Sequence, residues 1–450
     1  MIFRKLIRFN FSMVQGTGLT PKRIYEALDK FIIGQTEAKK AVSIALRNRW
    51  RRRNLSADYQ KEVYPKNILM IGPTGSGKTE IARRLAKLTD SPFIKVEATK
   101  YTEVGYHGKD VDEIIDDLVR LTVKRFKSNL VEFAELHKPE LEEIIINQLV
   151  EVFLGPNFEN KEIREDKRLK MKKGFLDERT MSLEVPGELY DKKDFLSFQE
   201  LMDYIKKAKL SSRSHKEKQI MTVKEAREFL LELYISKINK DVNYKAAAVK
   251  SVEEEGIVFI DEIDKIASPD TLNHYHKGIS SDGVQRDLLP LIEGTIVNTK
   301  YGDVRTDHIL FIASGAFHST KPTDLMPELL GRLPIRVELK PLCEKDFFKI
   351  LMEPEYNLIS QQIKLLEKDN VKLQFEESAI KEIAKYAYEA NLSLENIGAR
   401  RLHSLIEKIL EDISFEAPDI EKNEILINKD FVDEKLKQSK EKMNFAKYLI

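Results

Sequence analysis

The sequence GPTGSGKT at residues 72–79 lies between an apolar run at residues 67–71 and a helically periodic stretch at residues 80–88. A short buried strand, a glycine turn and a helix in that order commit the chain to an α/β fold built around a phosphate-binding loop. Gly72, Gly75 and Gly77 allow the backbone to approach a phosphate closely and to take φ > 0 where needed. Loop N–H groups and the helix N-terminus then supply partial positive charge to the anion. Lys78 is expected to reach the β- and γ-phosphates, and the Thr79 hydroxyl to bind Mg²⁺.

A second signal is GIVFIDEID at residues 256–264. Apolar residues ending in two carboxylates predict a central strand that delivers acid at its C-terminal end, where doubly wound sheets place ligands. Asp261 suits Mg²⁺, directly or through water, and Glu262 suits a general base acting on water. Lys78 and Asp261 stand 183 residues apart, whereas a strand–helix–strand unit needs only about 30. Something is inserted between them. Residues 110–250 carry long charged helical patterns and few strand signals, so a mainly helical excursion is expected. The charge run at residues 161–173 reads as a solvated face.

Beyond Asp264, residues 267–281 read as a polar loop. His274 and His276 have a spacing that suits either metal or plain solvation. Residues 284–292 predict a short amphipathic helix. Residues 307–314 predict a buried strand ending in Ser314, a polar residue able to sense a terminal phosphate. Residues 327–336 lead into a final strand at 335–339. From Pro341 onward helical patterns dominate, at 345–352, 377–390 and 399–413, which predicts a smaller α-rich domain.

Of the 450 residues, 42% are hydrophobic and 33% charged, enough for several cores beneath a polar surface. The net charge of +1 gives no support to a globally basic nucleic-acid binder. Apolar runs fall short of the about 20 residues that a membrane helix needs. The single cysteine, Cys343, excludes an internal disulfide and a multi-cysteine zinc site, and suits a reducing cytoplasm. Residues 1–19 read as a tail. Arg4, Lys5 and Arg8 break its apolar run, against a signal peptide, and Met13 is an alternative start.

Taken together, the residues resemble the AAA+ ATPases of the Clp/Hsp100 type. The specific pieces are LDKFIIGQ at residues 28–35, ALRNRWRR at 45–52, GPTGSGKTE, FIDEIDKI, GVQRDLLPL, FIASGAF, PELLGRLPIRVEL and ENIGARRLH. The resemblance spans residues 20–450. It implies an AAA+ P-loop NTPase domain, doubly wound and mostly parallel, from residues 20–109 and 251–340. It further implies an inserted intermediate domain at 110–250 and a small C-terminal domain at 341–450 with a partner-docking tail. The cofactors implied are ATP and Mg²⁺. Lys78, Asp261, Glu262 and Arg332 are the implied catalytic residues. The implied nucleotide contacts are Ile33, Gly75, Ser76, Gly77, Lys78, Thr79, Glu80, Asp261, Glu328 and Arg400, with Thr79 and Asp261 on the metal. Read alone, Ile33 fits a base-stacking edge and a core position equally.

Arg332 resembles an arginine finger that reaches a neighbouring subunit's nucleotide, and Arg400 a sensor arginine of the small domain. The segment Gly105, Tyr106, His107, Gly108 resembles a substrate-gripping pore loop. His107 stands where the family pattern has an apolar residue, which puts that second contact in doubt. The resemblance implies a homohexamer that unfolds tagged or unfolded proteins and threads them into a separate threonine-peptidase ring. The apolar terminus at 445–450 is implied to dock on that ring, although packing on its own domain is the alternative. No nucleic acid and no membrane are expected as partners.

Two other classes compete. A nucleic-acid motor of the RuvB type has its best support in the basic run at residues 47–53, with one aromatic, Trp50. The near-neutral charge and the lack of a winged-helix pattern after Arg401 weigh against it. A passive nucleotide-binding scaffold is disfavoured because Glu262, Arg332 and Arg400 are all present.

Overall fold

The structure, a computed structural model, describes residues 20–63, 66–102, 109–136, 138–155, 160–186, 216–241, 244–267, 281–419 and 424–437. The chain divides into two compact units, one of residues 13–122 with 248–450 and one of residues 1–12 with 123–247. The elements begin with α1 (Pro21–Asp29), α2 (Thr36–Arg53), α3 (Ala57–Glu62), β1 (Ile68–Ile71), α4 (Lys78–Leu88), β2 (Phe93–Glu97) and α5 (Glu113–Leu136). Next come α6 (Lys138–Leu154), α7 (Lys161–Lys172), β3 (Thr180–Pro186), β4 (Lys216–Thr222), α8 (Val223–Asp241) and α9 (Tyr244–Glu255). They continue with β5 (Ile257–Asp261), α10 (Ser281–Glu293), β6 (Ile296–Thr299), β7 (Gly302–Arg305), β8 (Leu310–Gly315), α11 (Pro327–Gly331) and β9 (Ile335–Glu338). The last are α12 (Glu344–Met352), α13 (Leu358–Leu366), β10 (Lys372–Phe375), α14 (Glu377–Ser393), α15 (Arg400–Glu416) and β11 (Glu424–Ile427).

Five strands form the sheet of the larger unit in the order β2-β5-β8-β1-β9, and every adjacent pair is parallel. A parallel sheet is covered on both faces, so its strands are continuous apolar runs rather than alternating ones. β5 and β8 fit that rule: Ile257 to Ile260 and Leu310 to Ala313 are all buried. The α/β architecture expected of the phosphate loop is therefore the one found. Ile24 and Leu28 of α1, Val42 of α2, and Ile81 and Leu85 of α4 share one core with Met70, Phe259, Ile312 and Val337 of the sheet. α4 buries Ile81, Ala82, Leu85 and Ala86, a single stripe at helical spacing.

The basic run on α2 is partly consumed by this packing. Arg49 is buried, and its guanidinium donates to the carbonyls of Glu254 at 2.9 Å and Gly256 at 3.2 Å. It thereby pins the chain just before β5. Arg47 stacks over the Trp50 ring, 3.7 Å from the centroid. Arg52 donates through Nε to the Gln60 carbonyl at 3.0 Å. The one aromatic of the run is thus already covered from within.

The second unit is mainly helical, as expected, but it also carries the antiparallel pair β3–β4. Met181 lies opposite Met221, and both join a core with Ile145, Leu149, Met171 and Val223. β4 reads Lys-Glu-Lys-Gln-Ile-Met-Thr, so charge hides its strand character from hydropathy. The C-terminal residues form a separate core in the larger unit, centred on Phe347, Leu351, Ile383, Leu402 and Ile409, with β10 parallel to β11.

Candidate functional site

The phosphate loop leaves β1 and enters α4 through Gly77, which stands at φ 103° and places no side-chain cap on the helix. The first N–H groups of α4 therefore face the loop's concavity without an internal partner. Gly75 stands at φ 72°, also in the left-handed region. Lys78 donates through Nζ to the carbonyls of Gly72 and, at 2.9 Å, Pro73. Burial pulls the Lys78 pKa below the ordinary lysine range, and Arg400 adds to that, against the carboxylates of Asp261 and Asp264.

β5 places Asp261 at its C-terminal end, between β2 and β8. Its Oδ1 accepts from Ser314 Oγ at 2.7 Å and from the Glu262 N–H at 3.2 Å. Its Oδ2 pairs with Lys95 Nζ at 2.8 Å and accepts from Thr79 Oγ1 at 3.4 Å. Burial alone would raise the Asp261 pKa, but the hydrogen bonds from Lys95 and Ser314 outweigh it and hold the carboxyl below its usual range. Glu262 follows at φ 58°, a left-handed conformation that costs a non-glycine residue about 1–3 kcal/mol. Such strain, directly after a half-buried carboxylate, is typical of a residue aimed for chemistry.

A third element closes the site. The turn at residues 395–400 contributes Glu395, Ala399 and Arg400 to the same cleft as Lys78, Thr79 and Glu262. The cleft has a volume of about 750 Å³. Ala399 donates its N–H to the Gly75 carbonyl at 3.1 Å. The two backbones touch so closely that a Cβ on Gly75 would lie 2.1 Å from the Ile397 carbonyl oxygen. One on Gly398 would lie 2.5 Å from the Thr74 carbonyl oxygen.

The structure thus gathers Gly75, Gly77, Lys78, Thr79, Glu80, Asp261, Glu262 and Arg400 around one cleft. Ser76 is buried beside it. Glu80 is held by Arg83 and by Arg84 Nε at 2.6 Å. Three predicted residues are placed elsewhere. Ile33 is buried and does not line the cleft. Glu328 on α11 is exposed, and Arg332 just beyond α11 is 55% exposed and pairs with Glu293 Oε1 at 2.9 Å. Gly105, Tyr106, His107 and Gly108 lie outside the described residues, as do His274, His276 and the segment 438–450.

Lys95 and Gln35 went unassigned in the sequence. Lys95 sits mid-strand in β2, and its partner Asp261 shows only once β2 lies beside β5. Gln35 donates through Nε2 to the Lys340 carbonyl at 2.9 Å, and its Oε1 accepts the Lys340 N–H at 3.0 Å. It ties the segment before α2 to the connection between β9 and α12.

The residues present fit a nucleoside triphosphate with Mg²⁺. The Ser76 hydroxyl is buried with no partner among the described residues. Gly72 and Gly75 have no room for an added carbon, and a hydroxyl and a carboxylate, Thr79 and Asp261, face each other as hard oxygen donors. No cluster of three or more His, Cys, Asp or Glu suited to a metal occurs among the described residues. No helix among them is long and apolar enough to cross a membrane.

Comparison with known proteins agrees with this geometry. The model for the ATPase family associated with various cellular activities (AAA) matches residues 68–154. The AAA domain (Cdc48 subfamily) model matches residues 193–336, and the C-terminal, D2-small domain of ClpB protein matches residues 342–419. The chain is 48% identical to the ATP-dependent protease ATPase subunit HslU of Rickettsia africae (strain ESF-5), covering 96% of this chain and 97% of that one. It is also 48% identical to the same-named protein of Rickettsia canadensis (strain McKiel), with the same coverage. With that of Rickettsia rickettsii (strain Sheila Smith) the identity is 47%.

Proposed function

Because this chain belongs to the HslU family of ATPase subunits of ATP-dependent proteases, we propose that it unfolds protein substrates and threads them into an HslV-type threonine-peptidase ring in the cytoplasm. It is an ATPase of the AAA+ fold. The observation that carries the reading is one of placement. The phosphate loop, Asp261, Glu262 and Arg400 share a cleft, whereas Glu328 and Arg332 stand outside it, on the exposed surface. Such a site is completed by the Arg332 of another copy, which supports a homohexameric ring.

Thr79 and Asp261 would hold Mg²⁺, which when bound supplies positive charge to the β- and γ-phosphate oxygens. Lys78 and the N–H groups of the glycine loop bind the phosphates. Glu262 takes a proton from water at its carboxylate. A neighbour's Arg332 neutralises charge on the terminal phosphate. Arg400, at the start of α15, links the state of the phosphates to rotation of residues 341–450 against residues 20–109 and 251–340. The inserted residues 110–250 form a third working part.

Tyr106 is the proposed grip. A flat aromatic holds a threaded chain by area rather than by sequence, which suits an unselective motor. Tyr106→Ala is expected to leave ATP turnover within about twofold of normal and to abolish unfolding of a folded fluorescent substrate. Unfolding at the normal rate would remove Tyr106 from the mechanism. The tail is the proposed link to the peptidase. Deleting residues 444–450 is expected to leave ATP hydrolysis intact and to abolish peptidase activation, read by cleavage of a fluorogenic peptide. Retained activation would sink the docking role. The RuvB-type reading is not favoured, because Arg47, Arg49 and Arg52 are engaged within the chain.

A further inference from the structure

The turn that meets the phosphate loop is shaped by one side chain that never reaches the cleft. Asn391 lies in the last turn of α14 and is only 9% exposed. Its Nδ2 donates to the Gly398 carbonyl at 3.2 Å. Its Oδ1 accepts from the Ile397 N–H at 3.3 Å and from Arg401 Nε at 2.8 Å. Arg401 in turn donates to the Glu395 carbonyl, and the Gly398 N–H donates to Asn396 Oδ1 at 3.1 Å. The Asn391 amide therefore holds Ile397, Gly398 and Arg401 directly, and the Glu395 carbonyl through Arg401. Asn is a poor helix former, so its presence in a helix calls for a local reason. Here the reason is a buried amide with its acceptor and donor both engaged.

The turn has little room to move. Gly398 stands at φ 59° with its backbone against Thr74 and Gly75. Ala399 is hydrogen-bonded to the Gly75 carbonyl, and Arg400 follows directly into the cleft. A shift of the turn by one ångström would break the Ala399–Gly75 bond and move the Arg400 guanidinium away from the phosphate loop.

We propose that Asn391 is a positioning residue for nucleotide binding: it fixes the turn at residues 395–401 so that Ala399 sits on Gly75 and Arg400 faces the phosphates. This rests on the reading of Arg400 as a phosphate-sensing residue.

The test is a double-mutant cycle in the full-length protein, measuring the affinity for Mg²⁺-ATP and for Mg²⁺-ADP by titration calorimetry. Asn391→Ala and Arg400→Ala are each expected to weaken ATP binding by about tenfold, with a smaller loss for ADP. The double variant is expected to be no worse than Arg400→Ala alone within about twofold, since a displaced arginine has nothing left to lose. A residue that merely stabilised the small domain would give losses that multiply, and multiplying losses overturn the proposal. So does normal ATP affinity in Asn391→Ala. If Arg400→Ala binds ATP normally, the sensing role of Arg400 fails. Asn391→Ala then decides alone: weakened ATP binding keeps Asn391 as the residue that seats the turn on Gly75, and unchanged binding overturns it. If Asn391→Ala does not fold, Asn391→Asp carries the test. It keeps both acceptor contacts, loses the donation to Gly398, and is expected to shift the ATP-to-ADP preference in the same direction. An unshifted preference overturns the proposal.

Discussion

Arg332→Ala is expected to slow ATP turnover by about 10³–10⁵-fold, the range seen when an arginine finger is removed. The arginine lies on the exposed surface, paired with Glu293 and outside the lining of its own chain's cleft. An exposed ion pair of this kind contributes about 0–1 kcal/mol, so folding and the melting temperature should hardly change. The loss should instead appear in the neighbour's active site. Mixing gives the sharper measurement. Subunits carrying Arg332→Ala and subunits carrying Glu262→Gln are each expected to turn over little ATP alone. In mixed rings some interfaces pair an intact Glu262 with an intact Arg332, and phosphate release should return in part. Full turnover by the Arg332→Ala protein, or mixtures that stay silent, would show that no neighbour completes the site.

For Glu262→Gln the expected loss is about 10²–10⁴-fold in turnover, with ATP affinity retained. The amide keeps the size and the hydrogen-bonding reach of the carboxylate but cannot take a proton at neutral pH. The left-handed backbone at Glu262 belongs to the turn after β5 and is borne by either side chain, so the variant should fold as the parent does. It should therefore accumulate uncleaved ATP. Single-turnover phosphate release and bound-nucleotide analysis together check this. Turnover above a tenth of normal would mean that water is activated elsewhere.

Much of the site is legible in one dimension because phosphate binding needs contiguous residues. Glycines must alternate with donors over eight positions, and a catalytic carboxylate must end an apolar strand. GPTGSGKT and FIDEID meet those demands locally, so the loop after β1 and the acidic end of β5 follow from them. What is not legible arises from register and packing. Lys95 meets Asp261 only because β2 lies beside β5. Asn391 looks like any polar residue near a helix end until the turn folds back onto it. β3 and β4 are missed because β4 is mostly polar and charged in sequence, which hides the buried pair Met181 and Met221. Ile33 illustrates the reverse: an apolar residue beside a glycine fits base stacking and core equally, and its burial without lining the phosphate cleft is compatible with both.

β2 and β5 lie side by side although about 160 residues of chain run between their paired positions. The entropy of tethering two points rises only with the logarithm of the loop, about 0.6 kcal/mol for each doubling of length. Halving that excursion twice would change the sheet's stability by only about 1.2 kcal/mol. The seam between these strands is therefore a place where evolution can exchange whole modules, with the ATPase sheet nearly indifferent to their size.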